Sequence, residues 1–203
     1  MYGLFVLVIA CGPNSATADE EVYEVDGVMA AFLYHFATFV LWPDAAPPGE
    51  HFTIAVIGAP DVAAELRRYL PGRSLQGRPM QVREITSISQ LDDEALLYIG
   101  PSRNDDLPRL LERVAGRPLL IVTDAPDALK MGSMINFRLV DRRVRFEISL
   151  AAAEREGLEL SSRLLSAAML VDTTSAVPKR PAPALLAAVP RFGRGSSPMR
   201  TGG

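Results

Sequence analysis

The chain has 203 residues, 48% of them hydrophobic and 22% charged, which suits one compact domain with tails rather than a disordered polymer. Lys plus Arg number 21 against 24 Asp plus Glu, a formal net charge of −3, so there is no electrostatic footprint of a nucleic-acid binder. One cysteine and two histidines exclude an internal disulfide framework and a cysteine-rich zinc or iron–sulfur site, and leave little for a histidine metal centre. No metal and no cofactor are expected.

Leu4 to Ala10 is an apolar run, and Ala16-Thr17-Ala18 supplies small residues before the acidic Asp19-Glu20-Glu21. This predicts an export signal over residues 1–18, cleaved after Ala18, and a periplasmic location. A second reading of the same stretch is a lipobox at Val8-Ile9-Ala10-Cys11, with Cys11 carrying a lipid anchor. Under either reading no cysteine is left for redox work in the mature domain. Residues 19–174 are the expected domain. Residues 175–203, rich in Pro, Ala, Gly and Arg without period, are expected to be a disordered tail.

Asp19 is placed to cap a first helix with Glu20 and Glu21 in its opening turn. Residues 22–42, wound at about 100° per residue, gather Val22, Val25, Val28, Met29, Phe32, Leu33, Phe36, Phe39 and Val40 within an arc of about 140°. Trp42-Pro43 is the expected stop, because the residue before a proline is pushed out of the α region. The face opposite the stripe carries no charge, which suits a buried or interface helix. Ala31, Tyr34, His35, Thr38 and Leu41 form the candidate surface for a partner or for a second copy of the chain.

Further on, 52–58 reads as a buried strand, 61–70 as a helix, 80–85 and 96–100 as strands, 107–114 as a helix and 118–123 as a strand. Short apolar strands interleaved with helices predict a single α/β domain whose sheet is mainly parallel and flanked by helices. The end of the domain changes character: 133–140 and 143–150 form a C-terminal antiparallel hairpin around Asp141-Arg142, followed by helical segments around 151–156 and 162–169. The register pairs Leu139 with Val144, Phe137 with Phe146 and Ile135 with Ile148 on one face. The other face then holds Arg138 beside Arg145 and Asn136 beside Glu147. Two like charges directly across a ladder are unfavourable unless something negative offsets them. Asn136, Arg138, Arg145 and Glu147 are therefore the candidate patch for an anionic ligand or an acidic partner, with Glu147 the competing internal partner of Arg138.

No HExxH, GxSxG, P-loop or GxGxxG motif occurs, and no catalytic residue is assigned. The adjacent acids Asp92-Asp93 and Asp105-Asp106 read as solvated caps near helix starts.

The stretch VMAAFLYHFATFVLWP, residues 28–43, resembles the opening helix of the YfiR family of bacterial periplasmic proteins, whose members read close to VKAAFLYNFAKFVEWP. Gly77-Arg78-Pro79, Leu119 to Asp124, Gly132 to Phe137, Val144 to Leu150 and Leu160 to Leu165 match the family's pattern in the same order, over residues 22–170. The resemblance implies a non-enzymatic regulator that represses an inner-membrane diguanylate cyclase by binding its periplasmic sensor region, lowering cyclic-di-GMP; a homodimer is a further expectation. Met29, His35, Thr38 and Leu41 replace polar residues common in relatives, so this helix is more apolar than theirs. The alternative, from a different class, is a periplasmic small-molecule sensor or carrier.

Overall fold

The computed structural model describes residues 17–42 and 49–172. The expected lipobox cysteine, most of the expected export signal and the expected C-terminal tail lie outside the described residues. Helix α1 spans Thr17–Phe39, with Asp19 inside it rather than capping it. It stops before Trp42 because Val40–Leu41 turns into a short strand, β1, held antiparallel to β9 (Glu159–Leu160) with Val40 opposite Leu160. The backbone N–H of Ser161 also donates to the Phe39 carbonyl at 3.0 Å, which occupies an acceptor at the helix end. Trp42 is then free to turn inward, where its ring meets Phe52 edge-on at 5.4 Å and its Nε1 donates to the Ala37 carbonyl at 3.3 Å.

The buried arc of α1 is displaced from the apolar stripe. Met29, Ala30, Leu33, Phe36, Ala37 and Val40 are buried, whereas Val28 is 38% exposed. Ala30 and Ala37 carry little hydrophobic weight in a pattern, yet their small side chains suit positions where neighbouring elements come close. Phe32 and Phe36 pack against Phe137 and Phe146, with Phe36 and Phe146 rings 4.9 Å apart. A large apolar side chain fully buried contributes about 1.5–3 kcal/mol, so this aromatic cluster is a main tie between α1 and the sheet.

Among the described residues the main sheet has eight strands in the order β10-β8-β7-β6-β5-β2-β4-β3. Their ranges are β2 Phe52–Ile57, β3 Ser74–Leu75, β4 Arg78–Glu84, β5 Leu96–Ile99, β6 Leu120–Thr123, β7 Ile135–Val140, β8 Arg143–Ser149 and β10 Leu170–Asp172. Strands β2, β5 and β6 are wholly buried, as expected of central parallel strands with helices on both faces. β4, β2, β5, β6 and β7 run parallel. The outer pairs β3–β4 and β7–β8 are antiparallel, and β10 runs parallel to β8. This is the expected α/β architecture, extended by the short strands β1, β3, β9 and β10.

Helix α2 (Pro60–Tyr69) connects β2 to β4 in one direction across the sheet, and the chain then crosses back to place β5 on the other side of β2. The carboxyl ends of β2 and β5 therefore flank a point where the strand order reverses. Helices α3 (Leu107–Val114), α4 (Ala128–Met131), α5 (Leu150–Arg155) and α6 (Ser162–Ala167) complete the fold. α3 turns Leu107, Leu110, Leu111 and Val114 inward at the expected helical spacing. The side chains of Ser149 and Ser161 cap α5 and α6, each accepting a backbone N–H at 3.4 Å.

Candidate partner-binding site

The β7–β8 hairpin has the register read from its sequence: Ile135 faces Ile148, Phe137 faces Phe146 and Leu139 faces Val144. Asp141 and Arg142 form the turn, with φ of 50° and 59°. Positive φ at both central residues matches the strand twist of a tight two-residue loop. The inner half of the hairpin is anchored in the core through Phe137, Phe146 and Ile148, all buried. Beyond Phe137 it extends past the body of the domain, and residues 138–143 are all exposed. Leu139 is 61% exposed and Val140 37%.

Arg138 lies opposite Arg145, and Asn136 opposite Glu147, as expected. The four residues nevertheless divide into two groups. Arg138 and Arg145 are exposed, and Glu147 is half-buried with Oε1 at 3.6 Å from Arg138 Nε. Asn136 is 1% exposed, and its Oδ1 accepts from Thr123 Oγ1 at 2.8 Å and from the Ala125 N–H at 3.1 Å. Its amide oxygen thus ties β7 to the end of β6 and does not join the arginines. The exposed patch consists of Arg138, Arg143 and Arg145 with Val140 on one face of the hairpin, and Leu139 is exposed on the opposite face. Exposed arginines beside an apolar side chain suit a protein partner, because arginine is enriched at interfaces where lysine is depleted.

The α1 surface is also divided. Tyr34 is half-buried against α2: its ring meets Tyr69 at 5.6 Å, and the Arg73 guanidinium sits 4.8 Å from the Tyr34 centroid and 4.1 Å from that of Tyr69. Ala31 and Thr38 are half-buried, and Thr38 Oγ1 donates to the His35 carbonyl at 2.8 Å. His35 is exposed and stacks on Phe39 at 6.0 Å. Leu41, 60% exposed, belongs to strand β1 and not to the helix. Of the five, His35 and Leu41 offer open surface. His35 borders a groove of about 220 Å³ between α1 and α6, lined by Phe32, Phe39, Phe146 and Leu164.

A third feature escaped sequence reading. Asp26 on α1, Asp61 on α2, Tyr98 on β5 and Asp124 after β6 line a cavity of about 330 Å³ at the carboxyl ends of β2, β5 and β6. The signal for it was the strand order, since a cleft forms where the order reverses, and that order depends on long-range pairing. Among the described residues no group of three or more His, Cys, Asp or Glu is placed to hold a metal ion.

A family model described as YfiR/HmsC-like matches residues 26–169. The chain belongs to that family. The YfiR/HmsC-like family is one of periplasmic, regulatory rather than catalytic proteins, which act with membrane signalling proteins in cyclic-di-GMP signalling. The match takes in the whole β7–β8 hairpin and α1 from Asp26 onward. No curated protein matches the chain. Among solved structures, the chain is similar to the ABC domain in complex with L-Trp from Streptococcus pneumonia, at 9% identity and a TM-score of 0.47, covering 70% of this chain and 61% of that one. It thus spans less than two thirds of that structure. Among the described residues of this YfiR/HmsC-like chain, no helix is long and apolar enough to cross a membrane.

Proposed function

We propose that this protein is a periplasmic binding protein, not an enzyme, that represses an inner-membrane diguanylate cyclase by engaging its periplasmic sensor region. The observation that carries the reading is the hairpin tip, where Val140 stands exposed beside Arg138, Arg143 and Arg145 on one face and Leu139 stands exposed on the other. A tip held rigidly by Phe137 and Phe146 presents its apolar residues already ordered, so docking loses little conformational entropy. The arginines suit an acidic partner surface, and rim charges of this kind raise the rate of encounter. Export by the N-terminal signal, with or without a lipid on Cys11, is part of the same proposal.

The test pairs the exported chain with the periplasmic region of a cyclase from the same cell. Arg138→Glu with Arg145→Glu is expected to abolish co-purification of the two and to raise cyclic-di-GMP as far as deleting the gene does. Unchanged binding by the doubly reversed variant, or unchanged cyclic-di-GMP on deletion, would overturn the reading. A homodimer would use the surface that α1 and β1 leave open. His35→Glu with Leu41→Glu should then convert it to a monomer in sedimentation velocity, whereas a parent protein that is itself monomeric would rule the dimer out.

The second reading, a small-molecule sensor, is favoured by the strand-end cavity. Clefts outside the carboxyl ends of parallel strands at a reversal of strand order are the usual ligand positions of open α/β sheets.

A further inference from the structure

Helix α6 is fastened at both ends and leaves a gap between the fastenings. At its start the Ser161 N–H donates to the Phe39 carbonyl at the end of α1, at 3.0 Å, and just past its end the Met169 N–H donates to the Phe146 carbonyl of β8, also at 3.0 Å. Between these ties lies the groove of about 220 Å³ beside His35. Its wall is hydrocarbon: the rings of Phe32, Phe36 and Phe39 from α1 and of Phe146 from β8, with Leu164 of α6. Phe36, Phe146 and Leu164 are buried, whereas Phe32 and Phe39 are only half-buried, so aromatic surface is left open to the space. Ala167, the small residue of α6 that lines the groove, is exposed.

Charge is the second, independent observation. Among the described residues the polar side chains of the lining are His35 and Arg163, both exposed, and no aspartate or glutamate joins them. The Arg163 guanidinium has no ion pair and no hydrogen bond among the described residues. A lone cation on an apolar groove complements a ligand with one negative charge and a hydrocarbon body, and the planar guanidinium fork matches a carboxylate. A doubly charged head such as a phosphate monoester would be only half compensated, and a cationic head would meet Arg163 as a like charge. The volume sets the length of the body. At about 30 Å³ for a water-sized group such as a methylene, the space takes a chain on the order of seven carbons.

We infer that the groove between α1 and α6 binds a free medium-chain alkyl carboxylate, its chain laid against Phe32, Phe39 and Phe146 and its head paired with Arg163. The chain covers aromatic surface that otherwise stays half open to water, which is the favourable part of binding. Because α6 is already tied down at Phe39 and at Phe146, the ligand enters a space that exists before it arrives, as small-molecule sites usually do. The site uses none of the hairpin arginines, so it stands whether or not the partner-binding reading holds.

The experiment is calorimetric titration of the full chain with octanoate, with butanoate as the same head on a shorter chain and octyltrimethylammonium as the same chain on an opposite head. Octanoate is expected to bind saturably. Butanoate should be weaker by tenfold or more, since each methylene buried adds up to about fourfold. Octyltrimethylammonium should also be weaker than octanoate, although the chain as a whole is acidic. Ala167→Trp should fill the groove and abolish octanoate binding. Arg163→Gln should weaken octanoate severalfold without weakening octyltrimethylammonium; its exposed position keeps the fold, so the head group is tested even if Ala167→Trp does not fold. Arg109→Gln, exposed on α3, should leave octanoate unchanged. Octanoate that binds no tighter than butanoate, as when a second copy or a partner covers the groove instead, would overturn the proposal on the parent protein alone. So would an Arg163→Gln variant that binds octanoate as the parent does, or an Arg109→Gln variant that loses as much as Arg163→Gln.

Discussion

Arg138 faces Arg145 directly across the β7–β8 ladder, while its counter-ion Glu147 sits one step along the diagonal with Oε1 3.6 Å from the Arg138 Nε. The carboxylate pairs with Arg138, beside a second guanidinium directly across the ladder, on a surface that is half open to water. The repulsion is only partly offset, and the hairpin tolerates it because Phe137 and Phe146 hold the strands together from the opposite face.

From that geometry, Glu147→Gln should lower stability by about 0.5–1 kcal/mol, the scale of an exposed cross-strand charge pair. Arg145→Gln should leave stability unchanged or raise it slightly, since it removes the like-charge neighbour. The same Arg145→Gln change should weaken partner binding. Denaturant melts of the two variants give the test: equal losses of stability would mean that cross-strand charge does not govern the hairpin.

Asn136 shares its strand face with Arg138 but has a structural task. Its Oδ1 takes hydrogen bonds from both Thr123 Oγ1 and the Ala125 N–H, and Thr123 in turn lies 2.8 Å from Ser133 Oγ. Thr123 Oγ1 can still donate to Ser133, but Asn136→Ala leaves the buried Ala125 N–H without its acceptor and should cost about 1–3 kcal/mol. Asn136→Asp should retain the acceptor and lose less at neutral pH, despite the cost of a buried charge. Binding of the partner by whatever fraction of Asn136→Ala stays folded should match the parent, a point that separates a structural asparagine from a contact residue.

Glu94 has a fully buried side chain and is met there by Arg83 Nη2, while its second oxygen accepts the Asp92 N–H at 2.7 Å. Arg83 is 43% exposed, so the two partners are not equivalent. Removing the arginine leaves a carboxylate buried without its counter-ion, which costs about 3 kcal/mol or more. Removing the acid leaves an arginine that water can reach. Arg83→Ala is therefore expected to destabilise more than Glu94→Gln in urea melts, and the reverse order would show that the pair is governed by packing.

The elements legible in the sequence were those whose signal is local. Apolar runs marked β2, β5 and β6, the 3.6-residue spacing of Leu107, Leu110, Leu111 and Val114 marked α3, and alternation around Asp141-Arg142 marked the hairpin to the residue pair. What local patterns missed was set by distant partners. Leu41 is drawn from the helix into a strand by Glu159, and Tyr34 is covered by Tyr69 at the end of α2 and by Arg73 just beyond it. Asn136 and Arg138 are two residues apart on one face, and only the Ala125 loop after β6 separates their roles. The cavity acids come from three elements more than thirty residues apart in sequence, brought together by the reversal of strand order.

The cavity carboxylates also predict how stability varies with pH. Burial first, and then the negative charges of Asp61 and Glu65, raise Asp26 above its ordinary value of 3.8; burial raises Asp124, partly countered by Arg138. A carboxyl group with a higher pKa folded than unfolded binds more protons in the native state between those two values, so stability falls as pH rises through that window. Below the unfolded value both states are protonated and nothing is lost; above the folded value the full penalty is present. Asp124→Asn removes the penalty, so it should melt higher than the parent near pH 7, with the gap shrinking toward about pH 3.5. A gap between parent and variant that stayed constant across the pH range would show that Asp124 is not a charged, uncompensated group in the folded protein.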